Sequence, residues 1–86
     1  MTFWYSRHAE EEMARRGIPR ALADGVLRRP QQIVPERGSR KAYQSKVTFG
    51  DGPCFLLRLI IDDAIDPAVV VTVYRTSRIE KYWRKT

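Results

Sequence analysis

His8 is the only histidine in this chain of 86 residues, so it is the one side chain whose ordinary pKa lies near neutrality. It falls in the first turn of an expected helix, with Glu11 and Glu12 three and four residues on. Those carboxylates favour an imidazolium, and the helix N-terminus opposes it. Such a group either transfers protons or packs at the helix start against nearby backbone. Arg58 is the second candidate. It interrupts an apolar strand, where an arginine pairs with a carboxylate such as Glu36 or Asp62, reaches solvent, or binds an anion. Strand alternation places Thr72 and Tyr74 on the same sheet face as Arg58, with Gln44, Lys46 and Thr48 beside them. Arg15 and Arg16 can bind phosphate or pair with Glu11 and Glu12 at i, i+4 spacing. Phe3, Trp4, Tyr5, Tyr82 and Trp83 either stack on bases or serve as core and lid. Arg75, Arg78, Lys81, Arg84 and Lys85 form a basic run that contacts phosphates or is simply solvated.

The charge balance narrows the partners. Sixteen Lys and Arg against ten Asp and Glu leave +6, a balance that suits nucleic acid, anionic lipid or an acidic protein, or merely a soluble surface. The excess is uneven: residues 67–86 carry five basic groups and one acidic, whereas 51–66 carry four acidic and one basic. Cys54 is the only cysteine, which excludes an internal disulfide and a multi-cysteine zinc site and fits a reducing cytosol. The opening residues have no apolar signal region, and no apolar run approaches the roughly 20 residues that span a bilayer. Phosphate-loop, dinucleotide and zinc-hydrolase motifs are lacking. The expectation is a cytoplasmic single domain over residues 1–86, with no membrane contact, no cofactor and no metal.

The elements that must position these residues follow from pattern. Ser6 is a plausible N-cap for a helix over Arg7 to Arg16, closed by Gly17. Pro19 suits the start of a second helix, with Leu22, Val26 and Leu27 on one face, which Pro30 ends. The period then changes to two. Strands are expected at Gln32 to Glu36, Arg40 to Phe49, Cys54 to Ile61 and Ala68 to Arg75, with a turn at Gly50-Asp51-Gly52-Pro53. Pro35 marks the first of these as an edge. The apolar rows Phe55, Leu57, Leu59, Ile61 and Val69, Val71, Val73 should face the helices. The tail from Thr76 to Thr86 should add a last turn or helix. This is an α+β fold, ααββββ: two N-terminal helices on one face of a four-stranded antiparallel sheet, followed by a short C-terminal turn or helix.

Ser6-Arg7-His8-Ala9, Met13, Arg16-Gly17-Ile18, Val26-Leu27, Pro30, Tyr43 and Val71-Thr72-Val73-Tyr74-Arg75 resemble a family of small bacterial and phage domains of unknown function. The shared pattern is His-Ala-x-x-Arg-Met-x-x-Arg-Gly-Ile near the start and Val-Thr-Val-Tyr near the end. That family in turn is similar to the barnase–EndoU–colicin–RelE group of toxin ribonuclease folds. The resemblance implies a RelE/barnase-like domain whose site is His8, Arg16, Arg58, Thr72 and Tyr74. Glu12 departs from the pattern, which has arginine there.

On this reading the chain is a metal-independent endoribonuclease of toxin type. The RNA 2′-hydroxyl attacks the adjacent phosphorus and leaves a 2′,3′-cyclic phosphate. His8 transfers protons, Arg58 and Arg16 stabilise charge, and Tyr74 and Thr72 assist. Lys41, Lys46, Arg75 and Arg78 hold the RNA backbone, and an antitoxin protein is the implied partner. Two rivals stand beside it. One is a non-catalytic basic module that binds nucleic acid or an acidic protein. The other is an interaction domain that uses the edge strand around Ile33.

Overall fold

The computed structural model describes residues 2–48 and 50–85. The chain begins with a strand, β1 (Phe3–Tyr5), and continues through helices α1 (Arg7–Arg16) and α2 (Arg20–Arg28). Four strands follow: β2 (Gln32–Pro35), β3 (Arg40–Thr48), β4 (Cys54–Asp62) and β5 (Ala68–Thr76). A single turn of helix, α3 (Ile79–Tyr82), comes last. Phe49, expected at the end of the second strand, and Thr86, in the expected tail, lie outside the described residues.

Ser6 explains the switch from strand to helix. Its hydroxyl oxygen accepts the Ala9 N–H at 3.0 Å, and the same hydroxyl donates to the Val71 carbonyl at 2.9 Å. One residue thus caps α1 and ties it to the sheet. Ser6→Ala is expected to cost about 1–2 kcal/mol, read as a lower urea midpoint, because it removes both bonds. Gly17 closes the helix at φ 64°, a left-handed conformation that favours glycine. The Ile18 N–H then bonds the Met13 carbonyl at 2.9 Å, and Ile18 turns its side chain into the core.

The sheet corrects the expected fold. Among the described residues it has five strands in the order β1-β5-β4-β3-β2, and it is mixed rather than antiparallel, because β1 runs parallel to β5. Sequence pattern assigns Phe3-Trp4-Tyr5 no strand, because three residues are too few to show a period. Their aromatic β-propensity and the open edge of β5 decide the matter. The described residues form three helices, the two N-terminal ones and the short α3 in the tail.

A second correction concerns β5. The pairing shifts between Ile60, opposite Thr72, and Ile61, opposite Val70, so Val71 is an extra residue in the ladder. The shift exchanges faces. Val73, Val70 and Ala68 join Leu57, Leu59 and Ile61 in the core, instead of the expected row Val69, Val71 and Val73. Ala9 and Met13 of α1 and Ala23, Val26 and Leu27 of α2 cover this face. At about 25 cal/mol per Å² of apolar area, this is the main stabilising contact of the chain. The opposite sheet face buries a smaller set, Val34, Ala42 and Leu56, outside that core cluster.

Candidate functional site

Four polar residues line up across that second face. Gln32 stands opposite Gln44, Gln44 opposite Arg58, and Arg58 opposite Tyr74, one from each of β2 to β5. Arg58 is only 3% exposed. Its Nε donates to Gln44 Oε1 at 2.8 Å, Nη1 donates to the Tyr74 hydroxyl oxygen, and Nη2 donates to Glu36 Oε1. The guanidinium carbon also sits 4.4 Å from the centre of the Tyr82 ring. An arginine buried in this way needs both a counter-ion and hydrogen bonds, and this one has them. Of the alternatives open in the sequence, pairing with Glu36 is the one that the structure shows.

The segment after β5 forms a strap over this row. The Gln44 amide donates to the Tyr82 carbonyl at 3.1 Å, and at the far edge Gln32 exchanges two bonds with the Arg84 backbone, at 2.6 and 3.1 Å. Tyr74 and Tyr82 meet edge to face at 6.4 Å, and the Lys46 ammonium lies 4.2 Å from the centre of the Trp83 ring. The strap therefore crosses from β5 to β2 on the face away from α1 and α2. It is held by polar and ring contacts, and α3 has no buried residue. Trp83, Lys46, Lys85, Ile79 and Glu80 line a groove of about 450 Å³.

The expected site is thereby divided. Arg58 and Tyr74 touch, and Thr72 shares their face opposite Ile60. His8 and Arg16 lie on α1, across the sheet from Arg58. His8 is exposed and has no hydrogen bond, ion pair or ring partner among the described residues. Arg16 is engaged with Glu12 at 3.3 Å, and Glu12 also takes Arg15 at 2.7 Å. Glu12 thus clasps two cations, and the hydrogen bond from Arg15 holds its carboxyl below the usual range. Glu11 pairs with Arg7 rather than with Arg15.

The expected backbone-holding residues divide as well. Lys41 is paired with Asp63 at 2.8 Å, which raises the lysine above its ordinary value. Arg75 stands opposite Leu57 and lies over the Phe55 ring at 4.9 Å. Lys46 and Arg78 belong with the strap. Gln32 and Gln44 complete the row, and Glu36 is the counter-ion of Arg58. Of these, Gln44 as a face-mate was legible from alternation, and Glu36 stood beside Asp62 among the carboxylates open to Arg58. Gln32 becomes visible only once the register of β2 is known.

Tyr5 and Tyr74 are both held above the ordinary tyrosine value of 10.0. Burial is the first cause in each. For Tyr5 the hydrogen bond it donates to Asp24 adds to it, whereas for Tyr74 the bond from Arg58 opposes it. A raised phenol favours the folded state while protonated. That contribution is complete below the unfolded value and is lost as pH rises through the folded one. The urea midpoint is therefore expected to fall above about pH 10, together with ionisation of these two phenols in ultraviolet absorbance.

A small α+β domain with a buried, fully partnered arginine beneath a basic strap is the class that fold and site define. Residues 5–75 match the family model described as Domain of unknown function (DUF4258), and the chain belongs to that family. No curated protein and no solved structure matches the chain. The matched span takes in His8, Arg58, Thr72 and Tyr74 and stops before the strap. Among the described residues no group of three or more His, Cys, Asp or Glu is placed to hold a metal ion, and no helix is long and apolar enough to cross a membrane.

Proposed function

We propose that this domain is a non-catalytic binding module for single-stranded nucleic acid, and that the strap is its grip. The observation that carries this reading is the distribution of unpaired charge. Glu11, Glu12, Asp24, Glu36 and Asp63 are each taken by a local cation. Lys46, Arg78, Lys81, Arg84 and Lys85 have no acidic partner among the described residues, and all lie on or under the strap, with Lys46 over the Trp83 ring, Lys85 in the same groove and Lys81 over the Tyr82 ring. Cations spaced around an aromatic wall suit a flexible phosphate chain whose bases are free to stack. Within that class, the resemblance to ribonuclease folds points to RNA.

The geometry supports binding better than cleavage. In-line attack on a phosphodiester needs a proton acceptor and a cation at one phosphate. His8 and Arg58 are on different sides of the sheet, and the donors of Arg58 are directed to Glu36, Gln44 and Tyr74. The test is fluorescence anisotropy of a labelled 20-nucleotide oligouridylate across salt concentrations in chelator, with the RNA ends mapped afterwards. The expected result is binding that weakens with a log–log slope of roughly −3 to −4 for five phosphate contacts, with the RNA intact. Absence of salt-dependent binding would overturn the reading. Cyclic-phosphate ends that disappear in His8→Ala would restore the endoribonuclease in its place.

A further inference from the structure

We infer that the outer edge of β2 is a docking site for an extended, acidic segment of a partner protein, which adds to the sheet as a sixth strand. The strap reaches β2 through the Gln32 side chain, whereas this surface is made by the outward peptide groups of Ile33 and Pro35. Among the described residues β2 is the last strand of the sheet, and one side of its backbone has no strand beside it. The Glu36 N–H bonds the Arg40 carbonyl at 2.9 Å, and antiparallel alternation therefore turns the peptide groups of Ile33 and Pro35 outward. Ile33 offers both a donor and an acceptor, while Pro35 offers an acceptor alone. Pro35 sits where its missing N–H costs the native ladder nothing.

Side chains supply what this short edge lacks. Ile33 is 49% exposed and lines a groove of about 450 Å³ with Phe3, Leu27, Pro30, Tyr43 and Arg28. An apolar side chain from every second residue of an added strand would enter it. Charge selects the partner. Arg28 and Arg29 lie just before β2 and Arg37 just after it, all exposed and none with an ion-pair partner among the described residues. The nearest carboxylates along the chain, Asp24 and Glu36, are occupied by Arg20 and Arg58. A nucleic acid would use the arginines but would match neither the strand edge nor the apolar groove.

The experiment titrates two synthetic heptapeptides, alternating Glu–Val and alternating Lys–Val, into ¹⁵N-labelled protein, with oligouridylate in a third arm. The Glu–Val peptide is expected to shift the amides of Ile33, Val34 and Glu36 and to slow hydrogen exchange at Ile33. Arg28→Glu/Arg37→Glu should weaken it at least tenfold, and the spectrum of that variant reports directly that it is folded. Equal binding of the Lys–Val peptide, or no shift at β2 up to millimolar peptide, overturns the inference. So does oligouridylate shifting the amides of Ile33, Val34 and Glu36, since that assigns the edge to nucleic acid. Shifts confined to the strap bear on the proposed function instead.

Discussion

Arg58→Ala is expected to cost about 3–5 kcal/mol of folding free energy, a large part of the roughly 5–15 kcal/mol that a domain commonly has. The substitution strips three hydrogen bonds from one buried group and leaves Glu36 Oε1, Gln44 Oε1 and the Tyr74 hydroxyl without their donor. It also removes the cation on which the Tyr82 ring rests. Orphaned polar groups carry most of the cost, because each was desolvated on the strength of a partner now missing. Arg58→Lys should recover little, since one ammonium cannot reach Gln44, Tyr74 and Glu36 in their present directions. Pairing Arg58→Met with Glu36→Gln should recover more, because it removes the charge and its counter-ion together. Urea unfolding at pH 7 checks the series. A loss below about 1 kcal/mol for Arg58→Ala would mean that the guanidinium is not a structural tie, and would return it to the candidate phosphate ligands.

The second large effect concerns binding. Replacing Lys46, Lys81, Arg84 and Lys85 together by glutamine is expected to weaken oligouridylate affinity by roughly 10²–10³ at 0.1 M salt and to flatten the salt slope by about 3. Each cation removed leaves one phosphate with its counter-ion, at about 0.7 in the slope for a single strand. The fold should persist. These side chains are exposed, and the bonds that hold the strap to Gln32 and Gln44 run through the Arg84 backbone and the Tyr82 carbonyl. Lys46 and Lys81 rest over the Trp83 and Tyr82 rings, and removing such a cation costs about 0.5–1 kcal/mol at an exposed site. Neutralising Arg7, Arg15 and Arg16 is the matched control. These cations are balanced by Glu11 and Glu12, so their removal should change affinity several-fold at most. A control variant that weakened binding as much as the strap variant would move the interface to α1.

How far the sequence reached depended on whether a feature was local. Ser6 and Gly17 mark the ends of α1 by their own chemistry, and the alternating runs from Gln32 onward mark four strands to within a residue or two. Alternation also put Arg58, Tyr74 and Gln44 on one face, because their side-chain direction depends only on position within each strand. Long-range pairing was not legible. β1 acquires its identity from β5, more than sixty residues away, and the extra residue at Val71 exists only relative to the β4 register. The same limit explains the divided site. His8 and Arg58 are each recognisable as reactive types, but which sheet face α1 covers is decided by the apolar rows that it buries. Lys81, Trp83, Arg84 and Lys85 were visible as a basic, aromatic run, and their place over the sheet is fixed by Gln32, a residue with no distinguishing local signal.

The most direct test is a titration of the ¹⁵N-labelled protein with oligouridylate, following the indole N–H of Trp83 and the backbone amides of 81–85 alongside those of His8 and Arg16. If the strap is the grip, Trp83 and the strap amides shift while the α1 amides stay unmoved. Shifts centred on His8 and Arg16, with Trp83 unchanged, would contradict it.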